Sequence, residues 1–336
     1  MFWYMTASLT PAALIGLAAL FGGPFPLLGL VSITALVFFM DKLAHNIPET
    51  TNTGRTLSLI LAAVHFPLLA LGIWALGAQP AVGMIDKLLI FIGLGLYFGQ
   101  ISNSNAHELI HANTRLPRRI GATLFVSLLH GHHVSAHLRV HHIYAATELD
   151  PNSAPAGEGF WAFALRVLRG EFTAGLRAET KHRSRSSSRS WFTHPYFAYV
   201  VGAGVTLVAA LFIAGIKGLA IYLGLSFYAQ LQLMLSDYVQ HYGLRRSRLP
   251  NGKLEPVGPQ HSWNAPKWYS SAMMLNAPKH SDHHMRPARA FPALQTTAKN
   301  MPVLPHSLPV MAVLALFPPL WRRIMDPRAA KWQKPA

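Results

Sequence analysis

"LSLILAAVHFPLLALGIWALG", residues 57–77, contains no Asp, Glu, Lys or Arg. A bilayer core of roughly 30 Å is crossed by about 20 mostly apolar helical residues. The stretch therefore reads as a membrane span, about 57–78, and it has company on both sides. Two shorter apolar stretches precede it, about 8–22 and about 24–41, broken by "GGPFP" at 22–26. Three follow: about 83–105, which holds "LLIFIGLGLYFG", then about 197–215 and about 217–239. The expectation is an all-α polytopic membrane protein with about six transmembrane helices. The first two segments are short enough that a re-entrant hairpin stays open there. The opening "MFWYMTASL" lacks the positive n-region of a signal peptide.

Composition agrees with a membrane setting. Hydrophobic residues make up 51% of the chain and charged residues only 12%, too few to build an ordinary water-facing surface. No cysteine is present, which excludes disulfides, thiolate metal sites and an internal iron–sulfur centre. The formal net charge is +16. A nucleic-acid reading of that charge needs a basic face on a soluble fold, and the apolar runs argue against one. The tract "KHRSRSSSRS" (181–190) reads instead as a solvated basic loop near lipid phosphates.

The basic residues also orient the chain. Residues 105–196 carry 11 Lys/Arg and residues 243–336 carry 14, with Lys42 and Arg55 in the 41–56 loop. Six spans put all of these, and both termini, on one side. The positive-inside rule makes that side cytoplasmic, so the expected location is a bacterial-type inner membrane. No internal repeat is visible. The whole chain, 1–336, reads as one domain, with helices as pillars and a histidine-rich cytoplasmic cap formed by 106–196 and 240–336. A last apolar stretch, "LPVMAVLALFPPLWRRIM" (308–325), contains Pro318 and Pro319. It reads as an interfacial helix in preference to a seventh span.

The chain holds 18 histidines, and nine of them fall in four clusters. These are His107 and His111 in "HELIH"; His137, His141 and His142 in "HLRVHH"; His241 in "DYVQHYGL"; and His280, His283 and His284 in "HSDHH". All lie at or beyond the cytoplasmic ends of the fourth and sixth spans. Residues i and i+4 share a helix face. That predicts a common direction for His107 and His111, for His137 and His141, and for His280 and His284. Adjacent histidines project differently, so one of each pair reaches one metal and its neighbour a second. A single zinc needs three or four ligands; nine histidines imply a two-metal centre. Imidazole suits iron, copper, zinc and nickel. Glu108, Asp237 and Asp282, each within four residues of a clustered histidine, are the expected carboxylates supporting the ligands. His130, His132 and His133 are alternative ligands. His45, His65, His182, His194, His261 and His306 read as loop, cap or core residues.

Boxes of the types HxxxH, HxxxHH and HxxHH on a polytopic chain resemble the membrane di-iron superfamily of fatty acid desaturases and hydroxylases. "AHELIH" (106–111), "HLRVHH", "DYVQHYGL", "HSDHH" followed by Pro287, and "LALFPPLWRRIMDPR" (314–328) resemble its alkane 1-monooxygenase branch. Gln240 stands where that branch usually has an acid, and Ser104 where it usually has Asn; the stretch between the second box and Asp150–Pro151 also departs from the common form. The resemblance implies two non-haem iron ions, molecular oxygen and terminal hydroxylation of a medium- or long-chain alkane. It also implies a separate rubredoxin or ferredoxin, with its reductase, as electron donor, which the absence of cysteine supports. A basic cytoplasmic face would steer such an acidic donor. An alkane offers no polar handle, so its site must be an apolar slot between helices. Phe38, Phe39, Phe91, Tyr97 and Phe98 are candidate walls.

Alternatives within the superfamily are a fatty acid desaturase, a fatty acyl hydroxylase and a xylene-type monooxygenase. Two lie outside it. "HELIH" is also a zinc-protease motif with Glu108 as general base, which leaves six clustered histidines unused. A divalent-metal transporter would place its ligands at mid-membrane, not at helix ends.

Overall fold

The computed structural model describes residues 1–333 apart from 44, 46, 48, 49, 51, 185–189, 297 and 298. Five residues of the basic tract at 181–190 thus lie outside the described residues. Helices α1 (Phe2–Phe21), α2 (Phe25–Ile33) and α3 (Ala35–Met40) form an N-terminal hairpin. Gly22 and Gly23, both at φ 62°, make its turn, a backbone state that costs glycine least. Thr34 separates α2 from α3 with φ −121° and ψ −87°.

Helix α4 (Arg55–Gly77) has 23 residues, which at about 1.5 Å per residue is long enough to cross a bilayer. Helix α5 (Met84–Leu96) passes through a π-helical stretch, Tyr97–Ser102, into α6 (Asn103–Ile110), making one 27-residue rod. The expected fourth span therefore runs on to the first histidine box instead of stopping at 105. Side-chain amides tie this rod to its neighbours: Asn103 Nδ2 donates to Ala229 O and Asn105 Nδ2 to Ser58 O, both at 2.9 Å. His65 sits fully buried between Ser102 Oγ (3.0 Å) and Ser127 Oγ (2.8 Å), a core hydrogen-bonding role.

Helix α7 (Arg115–Ser127) packs on α6; α8 (His132–Ala136), α9 (His142–Tyr144) and α10 (Phe160–Arg183) follow, α10 packing on α8, with a second π-helical stretch at His137–His141 between α8 and α9. Helix α11 (Pro195–His241) spans 47 residues but is broken at Ala214 and Gly215. Tyr222 Oη donates to Thr206 Oγ1 at 2.7 Å. Sixteen residues of continuous helix would separate them by about 24 Å, so the two arms fold back on each other as an antiparallel hairpin. Gly218 allows the closure: a Cβ there would stand 2.5 Å from Ala210 O. The C-terminal end of α4 meets this apex at Gly77, beside Ala214. The second arm runs away from the apex and ends at His241, so the histidines gather at the opposite end of the bundle.

Short helices α12 (Trp268–Met273), α13 (His280–Met285), α14 (Leu308–Ala315) and α15 (Pro318–Ala330) complete the chain. The 308–325 stretch is thus split near Phe317 into helices of 8 and 13 residues, each too short for a span. Among the described residues, four helices are long and apolar enough to cross a membrane: Phe2–Phe21, Arg55–Gly77, Met84–Ile110 and Pro195–His241. Among the described residues there are no strands, only two isolated bridges. This is an all-helical membrane protein.

Candidate metal centre

The nine clustered histidines converge into two adjoining groups. His107, His111, His137, His142 and His283 form one; His141, His241, His280 and His284 form the other. In the first group Nε2 of His137 lies 3.0 Å from Nε2 of both His111 and His142, and Nε2 of His283 lies 3.2 Å from that of His142. In the second, His280 Nε2 lies 2.9 Å from His241 Nε2 and 3.1 Å from His284 Nε2. His107 joins the first group by ring contacts at 4.6 Å to His137 and 4.4 Å to His283.

These separations fit two metal ions. Two nitrogens at about 2.1 Å from one ion, at right angles, stand about 3 Å apart. Rings that converge nitrogen-to-nitrogen around a point have the arrangement that coordination needs. Burial, reinforced by neighbouring imidazoles, holds His111 and His280 down at about 3. His137, His142, His283 and His284 are held well below the ordinary imidazole value for the same reasons. At neutral pH these rings are uncharged, the form that ligates a metal.

Local helix geometry decides which histidine goes where. His107 and His111, and His280 and His284, share a group as their four-residue spacing predicts. His137 and His141 do not, which corrects the expectation for that pair. Their rings still stack, 5.1 Å apart, but each belongs to a different group. The second box lies in a π-helical turn, which widens the repeat. It is His137 and His142, five apart, that meet. Adjacent pairs do diverge as expected: His141 from His142, and His283 from His284.

The three expected carboxylates hydrogen-bond to groups other than the clustered rings. Glu108 Oε1 accepts from Phe291 N at 3.3 Å. Asp282 accepts from Arg286, Arg289 and the Gln295 backbone. Asp237 Oδ2 accepts from Asn152 Nδ2 at 2.7 Å. These bonds brace the loops that carry the histidines. The acid on a clustered ring is Asp150, whose Oδ2 accepts from His141 Nδ1 at 2.9 Å. Burial alone would lower His141, but the Asp150 charge and hydrogen bond outweigh it and raise its pKa. His141 Nε2 is left buried, without a hydrogen-bond partner and on the side of its group. A carboxylate on Nδ1 with Nε2 free is the arrangement that orients a metal-bound imidazole. Asn152 donates through its backbone to Asp150 and through its side chain to Asp237, so the two acids form one network. The available signal for Asp150 was an acid eight residues beyond the second box, before Pro151.

His130 and His133 join neither group. They contact Glu171 instead, making a third buried cluster. Glu171 lies on the buried stripe of α10 with Phe160, Phe163, Ala164, Val167 and Gly175, an acid at an apolar position.

A cavity of 430 Å³ opens beside the histidines. His107, His137 and His280 line its inner end, so it touches both groups. Phe38 and Phe39 line its far end, with Val313 and Leu316 of the C-terminal region, and Phe39 is 65% exposed. Two of the five candidate wall residues, Phe38 and Phe39, thus line this cavity. Phe91, Tyr97 and Phe98 are not part of the lining. Phe91 stacks on Tyr228, ring centroids 6.3 Å apart, while Tyr97 and Phe98 are completely buried in the bundle. The rod presents Leu96, Gly99, Gln100 and Asn103 to the cavity instead.

Apolar helices around a buried, histidine-lined centre define a class, and the sequence matches it: residues 87–314 match the fatty acid desaturase family. The chain belongs to that family and is an integral membrane oxidoreductase. Its relatives place it with the alkane 1-monooxygenases of this superfamily. It is 30% identical to alkane 1-monooxygenase 1 of Alcanivorax borkumensis over 279 residues, 83% of this chain and 68% of the relative. It is 30% identical to alkane 1-monooxygenase 2 of Pseudomonas aeruginosa over 289 residues, 85% of this chain and 76% of the relative. The xylene/toluene monooxygenase hydroxylase component XylM of Pseudomonas putida is 27% identical over 241 residues, 68% of this chain and 61% of the relative. Neither the protease nor the transporter reading survives these likenesses.

Proposed function

We propose that this protein hydroxylates the terminal carbon of medium- or long-chain alkanes, using molecular oxygen at a non-haem di-iron centre held by the nine histidines. The observation that carries the reading is the cavity: one apolar slot runs from exposed Phe39 to histidines of both groups. His107, His111, His137, His142 and His283 would hold one iron, and His141, His241, His280 and His284 the other. The irons, when bound and reduced, supply oxygen activation.

The chain's own residues do the rest. Ile33, Val37, Leu235 and Leu308 give the slot apolar wall, where each buried CH₂ is worth about 0.8 kcal/mol. The slot thus selects a long hydrocarbon without a polar handle and delivers its end to His107, His137 and His280. Packing around the groups keeps bulk water away from the reacting carbon. Gln100 Oε1 and Asn103 Oδ1 are buried, lack hydrogen-bond partners and line the slot near the histidines. They accept from the hydroxyl that appears there, a partner the alkane itself does not have.

Electrons come from a separate rubredoxin or ferredoxin with its reductase, since the chain holds no cysteine for an iron–sulfur centre. The chain is then one domain that crosses an inner membrane six times, with the two arms of α11 as separate spans. Both termini and the centre face the cytoplasm. Purified protein should contain iron and, with a reconstituted reductase and donor, convert n-alkanes to 1-alkanols. Unsaturated products would point to a desaturase and benzylic alcohols to a xylene-type enzyme. Full activity with zinc as the only metal would overturn the di-iron assignment.

A further inference from the structure

Outside the nine histidines, one more buried set of ligand-bearing side chains lies among the described residues. His130 Nε2 lies 3.2 Å from Glu171 Oε2, and His133 Nδ1 lies 2.5 Å from Glu171 Oε1. Each of the three residues is 1% exposed. We propose that His130, His133 and Glu171 form a third metal site, taking one divalent ion of the zinc or ferrous type.

Three observations support it. Two imidazoles and one carboxylate are the donor set of open zinc and ferrous sites. The three donor atoms lie within 4.8 Å of one another, the closeness that also marks the two histidine groups. Glu171 is a carboxylate in the protein interior, and among the described residues its ion-pair partners are the two imidazoles. A buried anion needs a compensating charge, and a divalent ion among the three side chains supplies one.

The backbone is bent to make the set. Leu129, just before His130, has φ 57°, a left-handed state unfavourable for leucine. Gly131, just after it, leaves no room for a side chain: a Cβ there would stand 2.8 Å from Val126 Cγ2 and 2.9 Å from Tyr199. Strain of this kind collects where geometry serves a site. The site also adjoins the main centre. The His133 ring stacks on His137 at 5.1 Å, and His133 lines the same slot as His107 and His280. An ion here would pin α10 to α8, the helix that leads into the second box.

The test is a metal count on the full chain purified in detergent. Wild type should carry one metal equivalent per chain more than Glu171→Gln or His130→Asn. The difference is read whatever the total held by the nine histidines, so it stands apart from the di-iron assignment; His241→Ala should lower the other metal and leave this one. Cobalt(II) titration of metal-free protein should show one fewer visible-absorbing site in each of the first two variants. Equal metal content and equal cobalt spectra in wild type and these variants would overturn the proposal. If the variants do not fold, anomalous scattering from wild-type crystals decides: a peak among the three side chains supports the site, and its absence refutes it.

Discussion

His137 and His283 belong to the first group of imidazoles from different parts of the chain, and each ring is buried with its nitrogen among others. In the proposed centre, removing either would leave an ion short of a ligand while the helices that carry the protein into the membrane stay untouched. His137→Ala and His283→Ala should each abolish alkane turnover with normal membrane insertion, checked by product assay and membrane fractionation. Asp150 acts one step further out, through His141. Asp150→Asn keeps the shape but loses the charge that orients the ring, and should lower iron retention or activity about 10–100-fold. Metal content and turnover of the same preparation measure it. The nine histidines were legible as a set because four boxes of one residue type stand out against a chain poor in charge. Asp150 was not, because sequence proximity favoured Glu108, Asp237 and Asp282, whose hydrogen bonds go to Phe291, to Asn152 and to Arg286, Arg289 and Gln295. Glu171 was equally hidden, since nothing in a single helix announces which of its polar residues will face inward.

At the level of the element, two departures from regular α-helix shape the centre. The π-helical stretch Tyr97–Ser102 lies in the rod that brings His107 to the site, and the one at His137–His141 divides the second box between the two groups. Apolar length predicts where a helix runs, and the spans at 57–78 and 83–105 correspond to Arg55–Gly77 and Met84–Ile110 for that reason. It does not predict a widened turn, so the His137–His141 pairing was misread. The break in α11 was legible as two apolar stretches on either side of Gly215, where φ is 61°. Closure of that hairpin depends on Gly218, where a methyl group would press on Ala210 O and Ala214 Cβ. Gly218→Ala should destabilise the protein by about 1–3 kcal/mol through overpacking. Gly204→Ala, with nothing within 4 Å of the added carbon, should not. Thermal unfolding of both variants in the same detergent compares them.

Across the whole molecule, the N-terminal hairpin, the central rod, the second arm of α11 and the C-terminal helix α14 enclose one slot. No single stretch of sequence specifies it. Phe38 and Phe39 come from α3 and Val313 from α14, some 270 residues later, and only packing brings them together. An alkane lying in this slot gains about 0.8 kcal/mol for each buried CH₂, or about four-fold in affinity. KM should therefore fall about four-fold per added carbon while the slot is filling. Beyond its length, further carbons emerge between Phe39 and Val313, both exposed, and gain nothing, so the slope should flatten. Val313→Trp narrows that opening with a side chain that has room outside, since Val313 is 57% exposed. It should cut kcat/KM for alkanes longer than the break at least ten-fold and affect the shortest substrates least. A series of n-alkanes assayed on both proteins measures the two slopes. A uniform loss at every chain length would mean that the hydrocarbon enters by another path and that the slot is not its binding site.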